Sequence, residues 1–511
     1  MLRKYPIDLQ NFRKIRQGGY VYIDKTEVIH QIVDTDQYYF LSRPRRFGKS
    51  LLIDTINELF NGSKELFEGL WIYDKWDWTQ TSPVIRISFS NIGVRTEGLV
   101  AAIYRSLETN ARRLGLTLNE SSYDQQFKEL IEKAAIGGPV VILIDEYDKP
   151  IIDFLEEPDI AEANRSIMKS FYSILKDGDE YIRFLLITGV SQFSQVSIFS
   201  DLNNLDNITL EPQYGRLIGI TQQELESNFE QEIVKMQQSR PDILAQIKQW
   251  YNGYTWDMQT WVYNPFSVLK FMKSPLFRNY WYATGTPTFL LKLLQKNNFI
   301  EKESLSRGDF ALSSFNTIDP DPVALLFQTG YLTIKNITET TSGAVYELGY
   351  PNSEVKASLL DGLLNVYRGK VSGDNIGLDL ALKTALNAGD VPAIIQHLNA
   401  MIADIPYDYW NAKTESIFTI ITSIIFKRVG MDVSTEVHNA WGRCDILVKT
   451  DLYIYVLELK LDKPAAEAMQ QIKEKGYFAV YTNDPRKKLA VGISFSSKER
   501  QAVEFLVEEQ L

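Results

Sequence analysis

Gly48-Lys49-Ser50 stands between an apolar run, Tyr38-Tyr39-Phe40-Leu41, and a segment in which Leu51, Leu52, Ile53, Ile56, Leu59 and Phe60 recur at helical spacing. A strand, a tight loop, Gly-Lys-Ser and a helix form the arrangement that cradles phosphate. Backbone N–H groups at a helix start point at an anion, and the helix dipole favours negative charge there. In that frame Lys49 reaches the outer phosphates of a nucleotide such as ATP, and the Ser50 hydroxyl ligates Mg²⁺. Arg45, Arg46, Phe47, Gly48, Lys49, Ser50 and Leu51 are the residues expected around the nucleotide. The usual pattern is G-x-x-x-x-G-K-S/T, and here Arg43 holds the first glycine position. The loop is therefore expected to bend without that permissive residue.

A second stretch supplies the acids. Pro139-Val140-Val141-Ile142-Leu143-Ile144-Asp145-Glu146 is a nearly continuous apolar run ending in two carboxylates. Such a run suits a strand buried on both faces of a parallel sheet. At the C-terminal end of that strand, Asp145 is placed to bind Mg²⁺ through water and Glu146 to polarise an attacking water. Val84-Ile85-Arg86-Ile87-Ser88-Phe89 lies between the two motifs in the chain and reads as an extra strand. It points to the additional-strand class of P-loop NTPases. Phe184-Leu185-Leu186-Ile187 ends in Thr188, the polar position that senses a γ-phosphate in that class. Arg183 and Arg216 are the candidates for a cationic finger on that phosphate.

A third group of residues carries different chemistry. Gly442-Arg443-Cys444-Asp445-Ile446-Leu447-Val448 and Leu452-Tyr453-Ile454-Tyr455-Val456-Leu457-Glu458-Leu459-Lys460 read as neighbouring strands. Asp445 and Glu458 can converge on Mg²⁺, a hard ion that takes oxygen ligands. Alternation along a strand puts Glu458 and Lys460 on one face. Lys460 can then position a water whose pKa the metal lowers, and the group attacked is a phosphodiester.

The chain as a whole resembles a known family. Tyr22-Ile23-Asp24-Lys25-Thr26, Arg43-Pro44-Arg45-Arg46-Phe47-Gly48-Lys49-Ser50, Ile144-Asp145-Glu146-Tyr147-Asp148-Lys149-Pro150 and Thr188-Gly189-Val190-Ser191 resemble the AAA-ATPase-like proteins of bacteria and archaea. These are common in Bacteroidetes and often end in a PD-(D/E)XK nuclease-like domain. The resemblance covers nearly the whole chain and makes Arg43 a family trait. It implies nucleotide contact by the opening segment. It also implies that Glu415, on the helix before the first acidic strand, and Gln471, on the helix after the second, join Asp445, Glu458 and Lys460.

The elements that must position these groups follow from pattern. Residues 1–215 are expected to form an AAA-like α/β ATPase domain with a parallel sheet. Within it Asp24-Lys25-Thr26 opens a helix, and Asp148 starts another ahead of Lys149-Pro150. Trp71, Trp76 and Trp78 are expected to be core anchors of a loop. Residues 191–207, rich in Ser, Asn, Gln and Asp, are expected to be an exposed, mobile loop. Residues 216–375 are expected to be a helical lid and winged-helix-like connector. Thr221-Gln222-Gln223-Glu224 is a capping box in this region, Trp281–Pro287 a break, and Thr341-Ser342-Gly343 a hairpin turn. Residues 376–511 are expected to be an α/β restriction-endonuclease-like domain. It has helices over 378–386, 391–401, 417–426 and 465–475, and further strands at Val480-Tyr481 and 491–495.

Composition bounds the remainder. One cysteine, Cys444, excludes a disulfide framework, and three histidines leave no histidine metal cluster. No apolar run approaches membrane-spanning length and no signal peptide is expected at the start, which points to a cytoplasmic protein. The net charge of −11 argues against a general basic coat, so nucleic acid, DNA first, is expected only at a local groove of the C-terminal domain. Arg43, Arg45 and Arg46 are expected to form one basic patch and Arg486-Lys487-Lys488 another. An acidic chain with such patches is expected to need a partner or a homo-oligomer to build a nucleic-acid channel. The function these readings give is a nucleotide-gated, Mg²⁺-dependent nuclease. Its rival is a scaffold or signalling ATPase whose degenerate nuclease fold binds a partner.

Overall fold

The computed structural model describes residues 3–35, 38–90, 92–192, 198–199, 202–281, 288–297, 305–313, 320–341, 343–368, 376–405, 414–438 and 442–510. The chain divides into two compact units, Met1–Thr286 with Ser306–Val355, and Pro287–Leu305 with Lys356–Leu511. Residues 282–287 of the expected break, the middle of the expected hairpin turn (Ser342), and residues 193–197 and 200–201 of the expected loop lie outside the described residues.

The first unit is built on a five-stranded sheet of β1 (Tyr38–Ser42), β2 (Val84–Ser88), β3 (Val140–Asp145), β4 (Ile182–Gly189) and β5 (Asp206–Asn207). Its order is β2-β3-β4-β1-β5, and every pair is parallel. β1 and β3 are buried along their whole length, as their apolar runs require. The strand inserted between the phosphate-loop strand and the Asp145 strand is β4. β2, which lies between the two motifs in the chain, takes the edge beside β3. Order along the chain and order across a parallel sheet differ because each crossover is free to skip a strand.

The helix Lys49–Phe60 follows β1 and buries Leu52, Ile53, Ile56, Leu59 and Phe60. Trp76 meets Phe60 edge-on at 5.5 Å, and Trp78 lies against Phe67 at 5.0 Å, so these two are core anchors. The expectation of an exposed loop over 191–207 is corrected in part: among its described residues Asn203, Asn204 and Asp206 are exposed as expected, but six others are not. Ser191, Gln192, Ile198, Phe199, Leu202 and Leu205 are buried, and Phe199 packs against Phe40, Tyr147 and Tyr172. The polar residues masked an apolar spacing that docks the segment on the sheet, where β5 then pairs with β1.

Beyond the sheet, the same unit continues through a helical region. Thr221 and Glu224 form a reciprocal capping box at the helix Gln222–Asn228. Asn264 caps Pro265–Lys273. Phe229, Ile247, Tyr251, Val268 and Phe271 share a core there. The helix Pro322–Thr329 ends at Gly330 in the left-handed region and feeds the antiparallel hairpin of β9 (Thr333–Thr340) and β10 (Gly343–Gly349). Two short strands, β6 (Ile220–Thr221) and β7 (Val262–Tyr263), pair beside the helices, and β8 (Leu305–Gly308) lies next to β10.

The second unit holds a mixed five-stranded sheet in chain order. Its strands are β11 (Asp432–His438), β12 (Arg443–Lys449), β13 (Tyr453–Leu461), β14 (Lys487–Ser496) and β15 (Gln501–Gln510). Only the β13/β14 pair is parallel, and the helix Ala465–Lys475 makes that crossover. Helices Ile376–Ala388, Val391–Ala403 and Glu415–Arg428 precede the sheet. Val480-Tyr481 is not a strand. Ala479–Tyr481 is a 3₁₀ turn with Val480 exposed, set in the short connection between the helix end at Gly476 and Thr482-Asn483-Asp484-Pro485. No helix among the described residues is long and apolar enough to cross a membrane.

Candidate functional sites

In the first unit the loop between β1 and Lys49 bends through left-handed conformations at Arg46 (φ 69°) and Gly48 (φ 102°). Arg43 is not left-handed. The fold therefore needs no glycine at position 43, and the expected difficulty of bending there does not arise. Arg46 is held by an ion pair with Asp8 and by the face of Phe266 at 5.0 Å. Gly48 is the N-cap of the following helix and no side chain caps it, so the first N–H groups are left for an external acceptor.

Lys49 is buried, and its Nζ donates to the carbonyls of Arg43 (2.8 Å) and Pro44 (3.0 Å). Burial pushes its pKa down, and Glu146, Asp145 and Asp148 oppose that shift. Arg43 does not belong to a surface basic patch: it is 2% exposed. Its guanidinium lies 4.0 Å over the Trp256 ring and donates to the carbonyls of Ser42 and Thr209. The apolar stem and the planar head make this burial feasible, which a count of charges does not reveal.

Thr188 Oγ1 donates to Asp145 Oδ1 at 2.7 Å, joining the C-terminal ends of β4 and β3. Glu146 is left-handed (φ 53°), and its Oε2 accepts from Ser90 Oγ at 2.8 Å. A cleft of about 440 Å³ is lined by Arg45, Arg46, Lys49, Ser50, Glu146 and Lys149, among others. Asp145 and Thr188 are buried and do not line it. Beside it is an apolar slot of about 100 Å³, whose walls include Tyr22, Ile23, Phe47, Leu51, Leu217 and Ile218. Cleft and slot share Gly48 and Leu51. Sequence reading missed Ser90 and most of the slot. Ser90 follows β2 by two residues, at the same sheet edge as Glu146, and that placement was its only signal.

Asp148 is the N-cap of the helix Lys149–Ile152, as expected, but its side chain does not cap it. Its Oδ2 accepts from Val190 N, Ser191 N and Ser191 Oγ, which fixes the chain leaving β4. Arg183 is at the start of β4, the opposite end from the phosphate loop, over Phe60 and Trp76 and bonded to Ser82. It is a packing residue and not a finger within this chain. Arg216 is bound to Glu27 at 2.8 Å and does not line the cleft.

In the second unit, β12 and β13 bring Asp445 and Glu458 together. Asp445 Oδ2 accepts from Leu459 N at 2.8 Å. Lys460 Nζ is 3.2 Å from Glu458 Oε1 and 3.8 Å from Glu415 Oε1, and Glu415 Oε2 accepts from Leu461 N at 3.3 Å. Glu458 is 1% exposed, and its Oε2 has no hydrogen-bond partner among the described residues. Burial, with Asp445 beside it, pushes the Glu458 pKa up to about 7, and burial pushes Asp445 up to about 6. Burial works against the Lys460 charge, but Glu458 and Glu415 together hold its pKa above the ordinary lysine value. Gln471 is not joined to the carboxylates by a hydrogen bond. Its Nε2 reaches Tyr477 OH at 3.4 Å, and that hydroxyl donates to Arg443 O at 2.6 Å. In the expected second basic patch, Arg486 is paired with Asp484, Lys487 with Glu509, and Lys488 donates to backbone carbonyls. Among the described residues no three His, Cys, Asp or Glu side chains make a ready metal cluster. Two carboxylates, one with a bare oxygen, still suit a hard ion that keeps most of its waters.

Comparison with known proteins gives a family match in each half of the chain. Residues 6–199 match the family model described as predicted AAA-ATPase, and residues 413–505 match that of the PD-(D/E)XK nuclease superfamily. The chain is 39% identical over 518 residues to the uncharacterized protein in the vnfD 5' region of Azotobacter chroococcum mcd 1, and 99% of each chain is covered. The chain therefore belongs to the AAA-ATPase-like family and carries a C-terminal PD-(D/E)XK nuclease superfamily domain.

Proposed function

We propose that this protein binds and hydrolyses ATP with Mg²⁺ in its first unit, and that the nucleotide state gates a Mg²⁺-dependent phosphodiesterase acting on nucleic acid in its second. Residues 1–215 serve as the ATPase domain, 216–375 as a lid and connector, and 376–511 as the nuclease domain. The observation that carries the reading is Glu458: a buried carboxylate with one bare oxygen, beside Asp445 and held by Lys460. A buried carboxylate oxygen left without a partner is costly, and a cation would complete it.

At the ATP site, the phosphates lie against the uncapped helix start, Lys49 and Ser50, and the base enters the apolar slot next to Leu51. Asp145, oriented by Thr188, would help hold the ion, and Glu146 orients the attacking water. When bound, Mg²⁺ neutralises charge on the phosphates. At the nuclease site Asp445 and Glu458 would hold the ion, and it would supply a more acidic water. Lys460 orients that water, and Glu415 steadies Lys460 from the helix side. The same Lys460 charge offsets charge growing on the phosphate. The test is cleavage of DNA and RNA by the full chain with Mg²⁺, with and without ATP.

A second reading rests on the lack of a ready three-ligand cluster among the described residues. In it the C-terminal domain binds a partner without cutting, and ATP hydrolysis drives a scaffold. Hydrolysis of ATP with no cleavage of any nucleic acid would select it.

A further inference from the structure

We propose that Arg43 is a positioning residue for Lys49: stacked on Trp256, it fixes the two loop carbonyls that hold the Lys49 ammonium. The inference rests on the nucleotide-binding reading of this loop and names how the loop keeps its shape without its usual first glycine.

The contacts run in sequence. The Arg43 side chain is anchored by the Trp256 ring and by the carbonyls of Ser42 and Thr209. Its backbone N donates to Gly189 O at 3.1 Å, which ties it to the end of β4. Its carbonyl, with that of Pro44, then receives the Lys49 Nζ. A buried guanidinium loses water and must regain hydrogen bonds and a favourable field. The aromatic face, two carbonyls and the nearby Asp257 carboxylate supply these.

Trp256 also touches the loop at a second point. Phe47 meets it edge-on at 5.6 Å, and Tyr254 stacks beside it at 6.3 Å. Asp257 Oδ1 accepts from Gln259 N and Thr260 N, so the turn carrying the indole is itself rigid. Residues 44 and 45 are braced from the same region. A side chain at Gly330 would sit 2.6 Å from Pro44, and Trp281 Nε1 donates to Arg45 O at 3.2 Å. The loop is therefore shaped from outside the sheet, at positions 43, 44, 45 and 47.

Lys49 faces the outer phosphates, so the effect must depend on them. The experiment measures equilibrium binding of Mg²⁺-ATP and of AMP to the full chain and to Trp256→Leu, Trp256→Phe and Arg43→Lys, with folding followed by thermal melting. Losing the stacked contact should weaken ATP binding about tenfold in Trp256→Leu and Arg43→Lys while AMP affinity holds within about twofold. Trp256→Phe, which keeps an aromatic face, should bind ATP within about twofold of wild type. Unchanged ATP affinity in folded Trp256→Leu, or equal losses for ATP and AMP, would overturn the proposal. If Trp256→Leu does not fold, Arg43→Lys decides by the same criteria. Wild-type protein that binds no ATP would defeat the nucleotide reading itself, an outcome distinct from a variant that binds as well as wild type.

Discussion

Thr188 Oγ1 donates to Asp145 Oδ1 across 2.7 Å, and both residues are buried at the ends of adjacent parallel strands. The hydroxyl fixes which way the carboxylate faces, and Tyr147 N, bonded to Thr188 O, keeps the strand ends in register. Thr188→Val retains the shape and removes the donor. ATP hydrolysis should fall about tenfold or more, with ATP affinity within about twofold, because orientation of a group acting in the transition state is lost rather than a ground-state contact. Single-turnover rates beside equilibrium binding check this, and an unchanged rate would contradict it.

Lys49→Ala removes the ammonium that the loop carbonyls present to the cleft. ATP binding should weaken by about a hundredfold or more, the scale of one charge-assisted phosphate contact. Thermal melting is followed beside it, since the Arg43 and Pro44 carbonyls lose their donor and the nearby Asp148 carboxylate loses a favourable charge. Calorimetric titration with Mg²⁺-ATP reads the first quantity, and tight binding in the variant would remove the phosphate-loop assignment.

Glu354 gives the first unit a pH-dependent stability. Burial pushes its pKa up to about 7 from the usual carboxylate range, while Trp281 N, at 2.8 Å, favours the charged form. The folded state binds this proton more tightly than the unfolded chain does. Its contribution is therefore full below the unfolded value, near pH 4.5, and is lost as pH rises through about 7. Glu354→Gln keeps an acceptor for Trp281 without the charge. It should match wild type near pH 4.5 and exceed its stability by on the order of 3 kcal/mol at pH 8. Urea unfolding of both proteins across this range is the check, and a constant difference would exclude Glu354 as the group responsible.

Gln471 and Lys460 should separate in a cleavage assay. Gln471 contacts Tyr477, whereas Lys460 lies between Glu458 and Glu415. Gln471→Ala should cost only a few-fold in rate, against about a hundredfold or more for Lys460→Ala, which removes a charge at the reacting phosphate. Equal losses would mean that Gln471 reaches the substrate directly.

The parts of the fold set by local pattern could be read from the sequence. The apolar runs ending at Asp145 and Thr188 are β3 and β4, and the helix 465–475 begins and ends where its pattern does. Thr221 and Glu224 cap each other as their spacing requires. What could not be read depends on contacts far apart in the chain. Arg43 looks like a surface charge until Trp256, some two hundred residues later, covers it. Ser191 and Gln192 look like loop residues until Asp148 and Gln328 bind them. β15 carries Glu504, Glu508 and Glu509 and shows little apolar alternation, so its pairing with β14 is visible only once the sheet is assembled. In the C-terminal sheet, the order of acids and lysine could be read as neighbouring strands, and these are β12 and β13. The bare oxygen of Glu458 is a property of packing and has no sequence signature.

The most direct measurement is cleavage of single- and double-stranded DNA and of RNA by the full chain in Mg²⁺, with and without ATP, with Lys460→Ala as control. The expected result is cutting that requires Mg²⁺, disappears in Lys460→Ala and changes rate when ATP is added. Cleavage that persists in the variant, or no cleavage of any substrate while ATP is still hydrolysed, would contradict it.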